Sequence, residues 1–408
     1  MGEKDKTMPD RSARYTLIAL VFMGTVLSYV DRQVLALLKP TLESTFHWTD
    51  EDFAHLGSAF SLAMASSVLF SGWLVDRFGV RLAYGWAVAI WSVAGMAHAA
   101  ASSVAQFVIA RVTLALGETV SGPATVKATA EYLPLRERSF GLGLIATAPS
   151  IGAIFTPLVI PVLAVAFGWQ AAFLLTGGAG LVWVALWVLG TRRLGEGSAV
   201  VQERPRVDFR ALLADRRTWA ITGAKAMGDM VWWFMLFWIP DLFGKVFHLS
   251  QAQIGAPVAL TYAMAAFGAL CSGMVFPAMI RRGFSVNGAR KLSMLGFSVL
   301  IFPLPLALGM SSPWAAAAII GLALFAHNGF VTNIFGLTAD IIPLSRVGTV
   351  TALGSVAGNI SGMAMIEFAG WSLTHGHGYA PMFAICALAY VSAMAFLHLM
   401  VPRVKVEH

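Results

Sequence analysis

The sequence predicts an all-α polytopic membrane protein with twelve transmembrane helices in two six-helix bundles. Three observations support this fold class: a composition that is 58% hydrophobic and 12% charged, a series of long apolar segments, and an uneven distribution of basic residues. Soluble globular proteins carry about 25% charged residues. The 28 Lys and Arg and 21 Asp and Glu are too few to cover a soluble body of 408 residues, which excludes a soluble enzyme.

Twelve apolar segments are long enough to cross the bilayer, which takes about 20 helical residues for ~30 Å of hydrocarbon. Their bounds are roughly 15–38, 54–75, 82–100, 104–130, 141–165, 169–191, 218–243, 252–280, 291–309, 314–342, 348–373 and 378–401. A membrane β-barrel would instead show alternating segments of about ten residues. Because Cys271 and Cys386 lie in apolar runs without metal-ligand spacing, we predict no metal site.

The stretch 192–217 is the longest non-apolar part of the chain, and it divides the apolar segments six and six. We therefore predict a first bundle at 1–191, a cytoplasmic linker at 192–217 and a second bundle at 218–408. The halves also share a short motif, because 130–136 at the end of the fourth segment resembles 339–346 at the end of the tenth. Such a repeat favours the duplicated architecture of two-bundle transporters.

Basic residues mark one side of the membrane. Most of them, 22 of 28, lie in the two terminal tails and in the stretches 76–81, 135–138, 192–217, 281–291 and at Arg346. The opposite loops hold only Lys39 and Lys245. Because Lys and Arg are enriched in cytoplasmic loops, we predict that both termini are cytoplasmic. The isoelectric point near 9.6 follows from this topology, and no nucleic-acid partner is predicted.

The loop after the second segment carries a recognisable motif. It reads Gly-Trp-Leu-Val-Asp-Arg-Phe-Gly-Val-Arg at 72–81. This matches the signature G-x-x-x-D-R-x-G-x-R of the major facilitator superfamily. We expect Asp76, Arg77 and Arg81 to form a breakable charge cluster at the cytoplasmic face. The alternative is a basic turn that only sets topology.

Charged side chains inside apolar segments are functional candidates, because an ionisable group in lipid costs several kcal/mol. They are Asp31, Arg32, Arg111, Glu118, Lys225, Asp229 and Glu367. Arg111 and Glu118 are two helical turns apart and share a face, and Asp31 and Arg32 should lie at a depth near Arg111. Occupancy of an arginine by an anionic substrate could then switch proton binding by the acids. The alternative is a static salt-bridge network.

Lys225 and Asp229, one turn apart, are either a structural pair or a gating pair.

Polar and aromatic side chains near mid-membrane are predicted substrate contacts. They are Trp233, His327, Asn333 and Asn359. An indole can stack on a sugar ring, although aromatic side chains also form interfacial belts. Amides also serve as packing contacts between helices. For His327, packing, substrate contact and proton handling remain open.

These residues resemble those of the anion:cation symporter family of the major facilitator superfamily, in particular its hexuronate transporters. The similarity covers nearly the whole chain and is densest at Ser-Tyr-Val-Asp-Arg-Gln (28–33), at Arg111 with Gly-Glu (117–118), at Lys225 with Trp-Trp-Phe (232–234), and at Ala-His-Asn-Gly (326–329). The resemblance implies the major facilitator fold and proton-coupled uptake of a sugar-acid anion, with no cofactor besides the proton.

The resemblance also implies roles for individual residues. Asp31 and Glu118 match proton-coupling acids, Arg32 and Arg111 match arginines that pair with those acids or with the substrate carboxylate, and Tyr29, Trp233 and Asn359 match positions that face the substrate.

The chain departs from this family at several places. In the second helix relatives often carry a tyrosine, whereas this chain has Ser61, Met64, Ser66 and Ser67, and an asparagine of the relatives is replaced by Ser121. In the fifth helix relatives carry polar residues where this chain has Ala148-Pro149-Ser150. In the eleventh helix they carry a proline where this chain has Met365-Ile366-Glu367. Fewer hydrogen-bond donors in the second and fifth helices imply an acid that is smaller or less hydroxylated than a hexuronate.

The sequence thus predicts a monomeric symporter of the inner membrane that imports a small organic anion of the hexuronate or aldonate type. Its only other partner is the lipid bilayer. Two alternatives stay open: a proton-coupled antiporter that exports amphiphilic compounds through a large apolar cavity, and a receptor that binds a sugar acid without transporting it.

Overall fold

The computed structural model describes residues 11–192 and 209–404, and within these ranges the chain is helical without β-strands. The helices are α1 (Arg11–Phe46), α2 (Asp50–Ala97), α3 (Val104–Glu118), α4 (Ser121–Tyr132), α5 (Leu135–Ile145), α6 (Ala148–Phe167), α7 (Trp169–Thr191), α8 (Phe209–Ala214), α9 (Arg216–Lys245), α10 (Gly255–Arg281), α11 (Val286–Val299), α12 (Pro313–Ile341), α13 (Leu344–Thr374) and α14 (Ala380–Met400). Short 3-10 helices occupy His98–Ala100 and Leu304–Gly309.

Ten helical stretches in the described ranges are long and apolar enough to cross a membrane. One of them contains α2, which spans the second predicted segment and nearly all of the third and turns at Gly79, where φ is 75° and ψ is 157°. Glycine suits this turn because a side chain disfavours positive φ. The seventh predicted segment is α9, which is not among these ten stretches and in which Lys225 and Asp229 lower the hydropathy. Each of the twelve predicted segments lies mainly in helix, and the predicted all-α membrane fold is confirmed.

The fourth and fifth predicted segments are each broken into two helices by a proline. The break between α3 and α4 directly follows Glu118, because Pro123 has no N–H to donate to the carbonyl of Thr119. The break between α5 and α6 precedes Pro149 for the same reason. Interrupted helices commonly build binding sites in transporters. Glu118 therefore lies where the helix is least regular.

The sequence repeat between the halves is also a repeat of backbone conformation. Helix α4 is followed by Leu133 at φ −105° and ψ 138°, and α12 is followed by Ile342 at φ −105° and ψ 130°. In both cases a proline comes next, which drives the preceding residue out of the helical region. Pro134 and Pro343 are the residues immediately before α5 and α13.

Helices pack both within and between the two halves of the sequence. In the first half, α1 packs on α6 and α7, and α2 on α3 and α7; in the second, α9 packs on α13 and α14, and α10 on α12. Between the halves, α1 contacts α9, α2 contacts α13, and α6 contacts α10. A Cβ on Gly255 would lie 2.1 Å from the carbonyl oxygen of Pro157, so glycine permits the close approach of α10 and α6.

The predicted domain limits fall partly outside the described residues. Of the linker at 192–217, residues 193–208 lie outside them, as do 1–10 and 405–408 at the termini. The described remainder of the linker contains α8 and the start of α9. The division into two bundles with cytoplasmic termini therefore stays a prediction.

Candidate functional site

An ion pair joins the first helix to the fourth predicted segment. Nε of Arg32 on α1 donates to Oε2 of Glu118 at 2.6 Å. The Glu118 side chain has no exposed surface, whereas 14% of the Arg32 side chain is exposed. The guanidinium also lies over the ring of Tyr29, 4.7 Å from its centroid. The carboxylate is therefore sealed in the protein while its cation remains partly accessible.

Arg111 is fully buried and holds the backbone of α1. Its terminal nitrogens donate to the carbonyl oxygens of Asp31 and Arg32, each at 3.3 Å. The guanidinium lies 4.5 Å from the ring centroid of Phe60 and 5.7 Å from that of Phe237. Phe237 belongs to α9, so this cation contacts both halves of the chain. In this conformation Arg111 positions the helix that carries Arg32.

Two acidic groups at this place have oxygens without a hydrogen bond. Asp31 is 4% exposed, and its Oδ2 has no partner among the described residues. Oε1 of Glu118 is likewise unpaired there. No basic side chain in the described ranges forms an ion pair with Asp31. Buried carboxylate oxygens without partners are costly, and this arrangement can therefore accept protons.

The second half of the chain contributes a different ion pair. Nζ of Lys225 donates to Oδ2 of Asp229, one turn further along α9, at 2.6 Å. Both side chains are mostly buried, 10% and 16% exposed. Glycines on α13 make room for them, because a Cβ on Gly354 would lie 3.1 Å from Lys225, and one on Gly358 would lie 2.1 Å from Asp229. Partial exposure of charges at mid-helix indicates water-accessible space, since such groups avoid lipid.

Trp233 and Asn359 lie on helices that contact each other, α9 and α13. Trp233 is 6% exposed and meets the ring of Phe60 edge-on at 5.9 Å. A Cβ on Gly362 would lie 2.1 Å from the indole, so the absence of a side chain at Gly362 leaves the space that the indole occupies. The amide nitrogen of Asn359 donates to the carbonyl of Ser355, while its Oδ1 is buried and unpaired among described residues.

His327 and Asn333, both on α12, are engaged inside the second half. Nδ1 of His327 lies 2.5 Å from the hydroxyl of Tyr390, and its ring stacks on Trp232 at 5.2 Å. The amide nitrogen of Asn333 donates to the hydroxyl oxygens of Ser272 at 2.7 Å and Ser293 at 3.2 Å. The structure thus gives both side chains packing partners, and their contact with substrate stays a prediction.

The charge motif after the second predicted segment lies away from these residues. Nζ of Lys127 on α4 lies 3.2 Å from Oδ1 of Asp76 and 3.8 Å from Glu131. Arg77 and Arg81 are exposed beside it. In the second half, Nε of Arg290 at the start of α11 lies 2.7 Å from Oδ2 of Asp340 on α12. Each half therefore links its helices by an ion pair at this end, and the gating role remains a prediction.

Sequence reasoning missed a charge cluster at the opposite end of the helices. Lys39 has no exposed surface, although the hydropathy pattern placed it in a loop. Its Nζ contacts Glu43 and lies 2.6 Å from both Asp50 and Asp241. Lys245 lies 2.5 Å from the same Asp50. The cluster joins α1 and α2 of the first half to α9 of the second. The spacing of Lys39 and Glu43, one helical turn apart, was the only available signal.

Further contacts close the same end between α2 and α13. Nδ1 of His55 lies 3.0 Å from both carboxylate oxygens of Glu367, and the hydroxyl of Ser58 donates to the same group. Nδ1 of His375 lies 3.7 Å from Glu51. Two histidine–carboxylate pairs therefore cross this interface in opposite directions. The unusual Glu367 is thereby given a partner in the other half.

Comparison with known proteins assigns this architecture to a family. The profile described as Major Facilitator Superfamily matches residues 21–366. The chain belongs to the Major Facilitator Superfamily. As a member of this superfamily it is a multi-pass membrane transporter and not an enzyme.

Curated relatives within the Major Facilitator Superfamily align over most of the chain. The hexuronate transporter of Escherichia coli strain K12 is 25% identical over 93% of this chain and 91% of its own length. The D-galactonate transporter of Escherichia coli O6:H1 is also 25% identical, over 94% and 93%. The galacturonate transporter of Dickeya chrysanthemi is 26% identical over 76% and 94%.

Solved structures share the fold. An inward-facing, occupied bacterial homolog of the human lysosomal transporter Spinster superposes with a TM-score of 0.77 at 17% identity, over 96% of both chains. A D-xylose-proton symporter superposes with a TM-score of 0.73 at 16% identity, over 96% of this chain and 98% of its own. At these identities the likeness establishes the superfamily fold alone.

Proposed function

We propose that the protein is a proton-coupled symporter that imports a sugar-acid anion of the hexuronate or aldonate type by alternating access. The substrate class is supported by relatives of the whole chain, which are transporters of hexuronate, galactonate and galacturonate. In this proposal the protein is a monomer in the cell inner membrane. Both termini are cytoplasmic, as expected from the distribution of basic residues.

The observation that carries the proposal is the unequal exposure of Arg32 and Glu118. A substrate carboxylate that binds Arg32 withdraws the counter-charge of Glu118. A buried carboxylate without its cation is strongly unfavourable, so Glu118 then takes up a proton. Substrate anion and proton therefore bind together, because the anion takes the counter-charge of Glu118 and the proton neutralises the carboxylate that is left unpaired. Asp31, buried close by without a basic partner, is the second proposed proton carrier.

The remaining predicted residues receive roles around this exchange. Arg111 holds the α1 backbone, so that Arg32 keeps its orientation when Glu118 is released. Trp233 and Asn359 approach from the second half, where an indole face and an unpaired amide oxygen suit a hydroxylated carbon chain. Contact of substrate with His327 or Asn333 would require these side chains to give up their present partners.

Alternating access requires one end of the protein to open while the other is closed. The Lys39 cluster and the pairs between α2 and α13 hold one end together. With cytoplasmic termini, that end faces outward, and the protein is closed to the outside. Substrate import then includes the breaking and reforming of these contacts, and Lys225 with Asp229 is available for the opposite gate.

Reconstituted protein can test this proposal directly. Proteoliposomes with an inward proton gradient should accumulate galacturonate, galactonate or another sugar-acid anion, and a protonophore should abolish the accumulation. Organic cations and neutral amphiphiles should neither be transported nor compete. Accumulation that is the same with and without the proton gradient would contradict the coupling. Transport of cations alone would contradict the substrate class.

A further inference from the structure

A small cavity with basic walls lies at one end of the second half of the chain. Its volume is about 310 Å³. Arg216 and Arg217 line it from the start of α9, and Arg403 lines it from the segment after α14, together with the last residues of α12 and α14. Helix α9 ends in the Lys39 cluster, so its start lies at the opposite end of the protein. With cytoplasmic termini, the cavity opens at the cytoplasmic surface.

Hydrogen bonds join the walls of this cavity to one another. Arg216 donates to the carbonyl oxygen of Leu399 on α14 at 3.2 Å, and Arg217 donates to that of Ile341 on α12 at 2.9 Å. Nζ of Lys291 on α11 donates to the carbonyl oxygens of the two residues that follow α14, at 2.8 and 2.5 Å. Basic side chains of α9 and α11 therefore hold the ends of α12 and α14, where helical carbonyls lack partners.

Positive charge around the cavity exceeds negative charge. Arg217 has an acidic partner, because its Nη2 lies 2.8 Å from Oδ2 of Asp215. Across the described ranges, no carboxylate forms an ion pair with Arg216, Lys291 or Arg403. Arg216 and Arg403 are also exposed. Three cations without a counter-charge repel one another and together attract an anion.

Exposed apolar side chains adjoin the same cavity. Leu399, whose carbonyl oxygen accepts from Arg216, has an exposed side chain, and so does Trp219, which lies one helical turn after Arg216. The indole N–H of Trp219 donates to the carbonyl oxygen of Leu213 at 2.7 Å, and Leu213 is exposed as well. Tryptophan is enriched where membrane helices meet the interface between lipid and water. An anion in the cavity would therefore lie next to acyl chains.

We propose that this cavity binds the phosphate headgroup of an anionic phospholipid. A guanidinium can bind phosphate through two parallel hydrogen bonds, and basic pockets between membrane helices on the cytoplasmic side bind anionic headgroups. Leu399 and Trp219 contact the acyl chains, which a free phosphate ion does not offer. The bound headgroup links α9 to the segment after α14. This inference goes beyond the transport activity and depends on neither the substrate nor the proton.

The test measures phospholipid binding to the full-length protein in a neutral detergent by native mass spectrometry. The probes are phosphatidylglycerol, neutral phosphatidylcholine with the same acyl chains, and inorganic phosphate. The variants are Arg216→Gln and Arg403→Gln. Arg403 forms no side-chain hydrogen bond or ion pair with the described residues, so its replacement leaves the fold intact. Arg282→Gln is the matched control, because Arg282 is exposed at the end of α10, at the same end of the protein but outside the cavity.

Phosphatidylglycerol should bind more tightly than phosphatidylcholine, and its dissociation constant should rise about fivefold in each cavity variant, as expected for the loss of one basic side chain. Raising the ionic strength should weaken its binding, because salt screens exposed charges. Arg282→Gln should bind phosphatidylglycerol as the wild type does. Inorganic phosphate should not displace the lipid.

Several results would overturn the inference. They are equal affinity for the two lipids, unchanged affinity in either cavity variant, or an equal loss of affinity in Arg282→Gln. The last result would assign binding to the general positive charge of this surface. Displacement of phosphatidylglycerol by inorganic phosphate would show a phosphate site without lipid specificity and would also contradict the proposal.

Discussion

Arg32 and Glu118 form an ion pair of 2.6 Å in which the Glu118 side chain has no exposed surface and the Arg32 side chain is 14% exposed. The pair joins α1 to the end of α3, at the point where the fourth predicted segment breaks. Its two members therefore differ in which partners can reach them. An anion can replace Glu118 at the arginine, whereas only a proton can replace Arg32 at the buried carboxylate.

Removing one member of this pair should cost far more than removing both. Arg32→Gln leaves a buried carboxylate unpaired, which typically costs about 3–5 kcal/mol. The double variant with Glu118→Gln should recover most of that loss. The loss in Arg32→Gln should also shrink as pH falls, because protonation neutralises Glu118. Thermal unfolding of the purified variants measures these differences, and strictly additive single effects would show that the two side chains are not coupled.

Lys39→Met should loosen the closed end of the protein. The substitution leaves acids on α1, α2 and α9 without their buried cation. Spin labels at the exposed positions Ser44 and Ser250, in a cysteine-free background, should report longer and broader distances. Lys245→Met is the milder comparison variant, because its side chain is 40% exposed and the buried Lys39 still neutralises Asp50. An unchanged distance distribution in Lys39→Met would refute the role of the cluster.

The histidine–carboxylate contacts should help to hold this end closed. His55 and His375 approach carboxylates across the interface between α2 and α13. The double variant His55→Gln and His375→Gln should therefore shift the distances between labels at Ser44 and Ser250 toward longer values. An unchanged distance distribution in that variant would assign closure to other groups.

Gly358→Ala should disable transport through a local clash. The added Cβ would lie 2.1 Å from Oδ2 of Asp229, and overpacking of this kind costs about 1–3 kcal/mol. Gly348→Ala on the same helix is the control, since nothing lies within 4 Å of its Cβ position. Exchange assays and melting temperatures should both fall for the first variant and stay unchanged for the second. Full activity of Gly358→Ala would show that the ion pair in α9 is not confined by α13.

Hydropathy and charge predicted the fold because they reflect local physical constraints. A helix that crosses lipid needs a long apolar run, and the twelve predicted segments all lie mainly in helices. The pairing of Lys225 with Asp229 followed from helical spacing alone. For Arg32, membrane depth predicted only a position near Arg111, and its pairing with an acid was implied by the family resemblance.

Long-range partners could not be predicted in the same way. The first segment was ended at 38, whereas α1 continues to Phe46 and buries Lys39. Its partner Asp241 lies 202 positions away in sequence, and its burial is visible only after α1 and α9 meet. Similarly, mid-membrane position did not reveal that Asn333 faces Ser272 and Ser293. Depth in the membrane is encoded locally, but the direction of a side chain depends on neighbouring helices.

The most direct test of the account compares exchange with accumulation in Glu118→Gln. The amide keeps the size of the side chain but cannot take up a proton. In proteoliposomes this variant should exchange a sugar-acid anion across the membrane and fail to accumulate it under an inward proton gradient. Accumulation at the wild-type level would contradict the central claim that substrate on Arg32 and a proton on Glu118 are coupled.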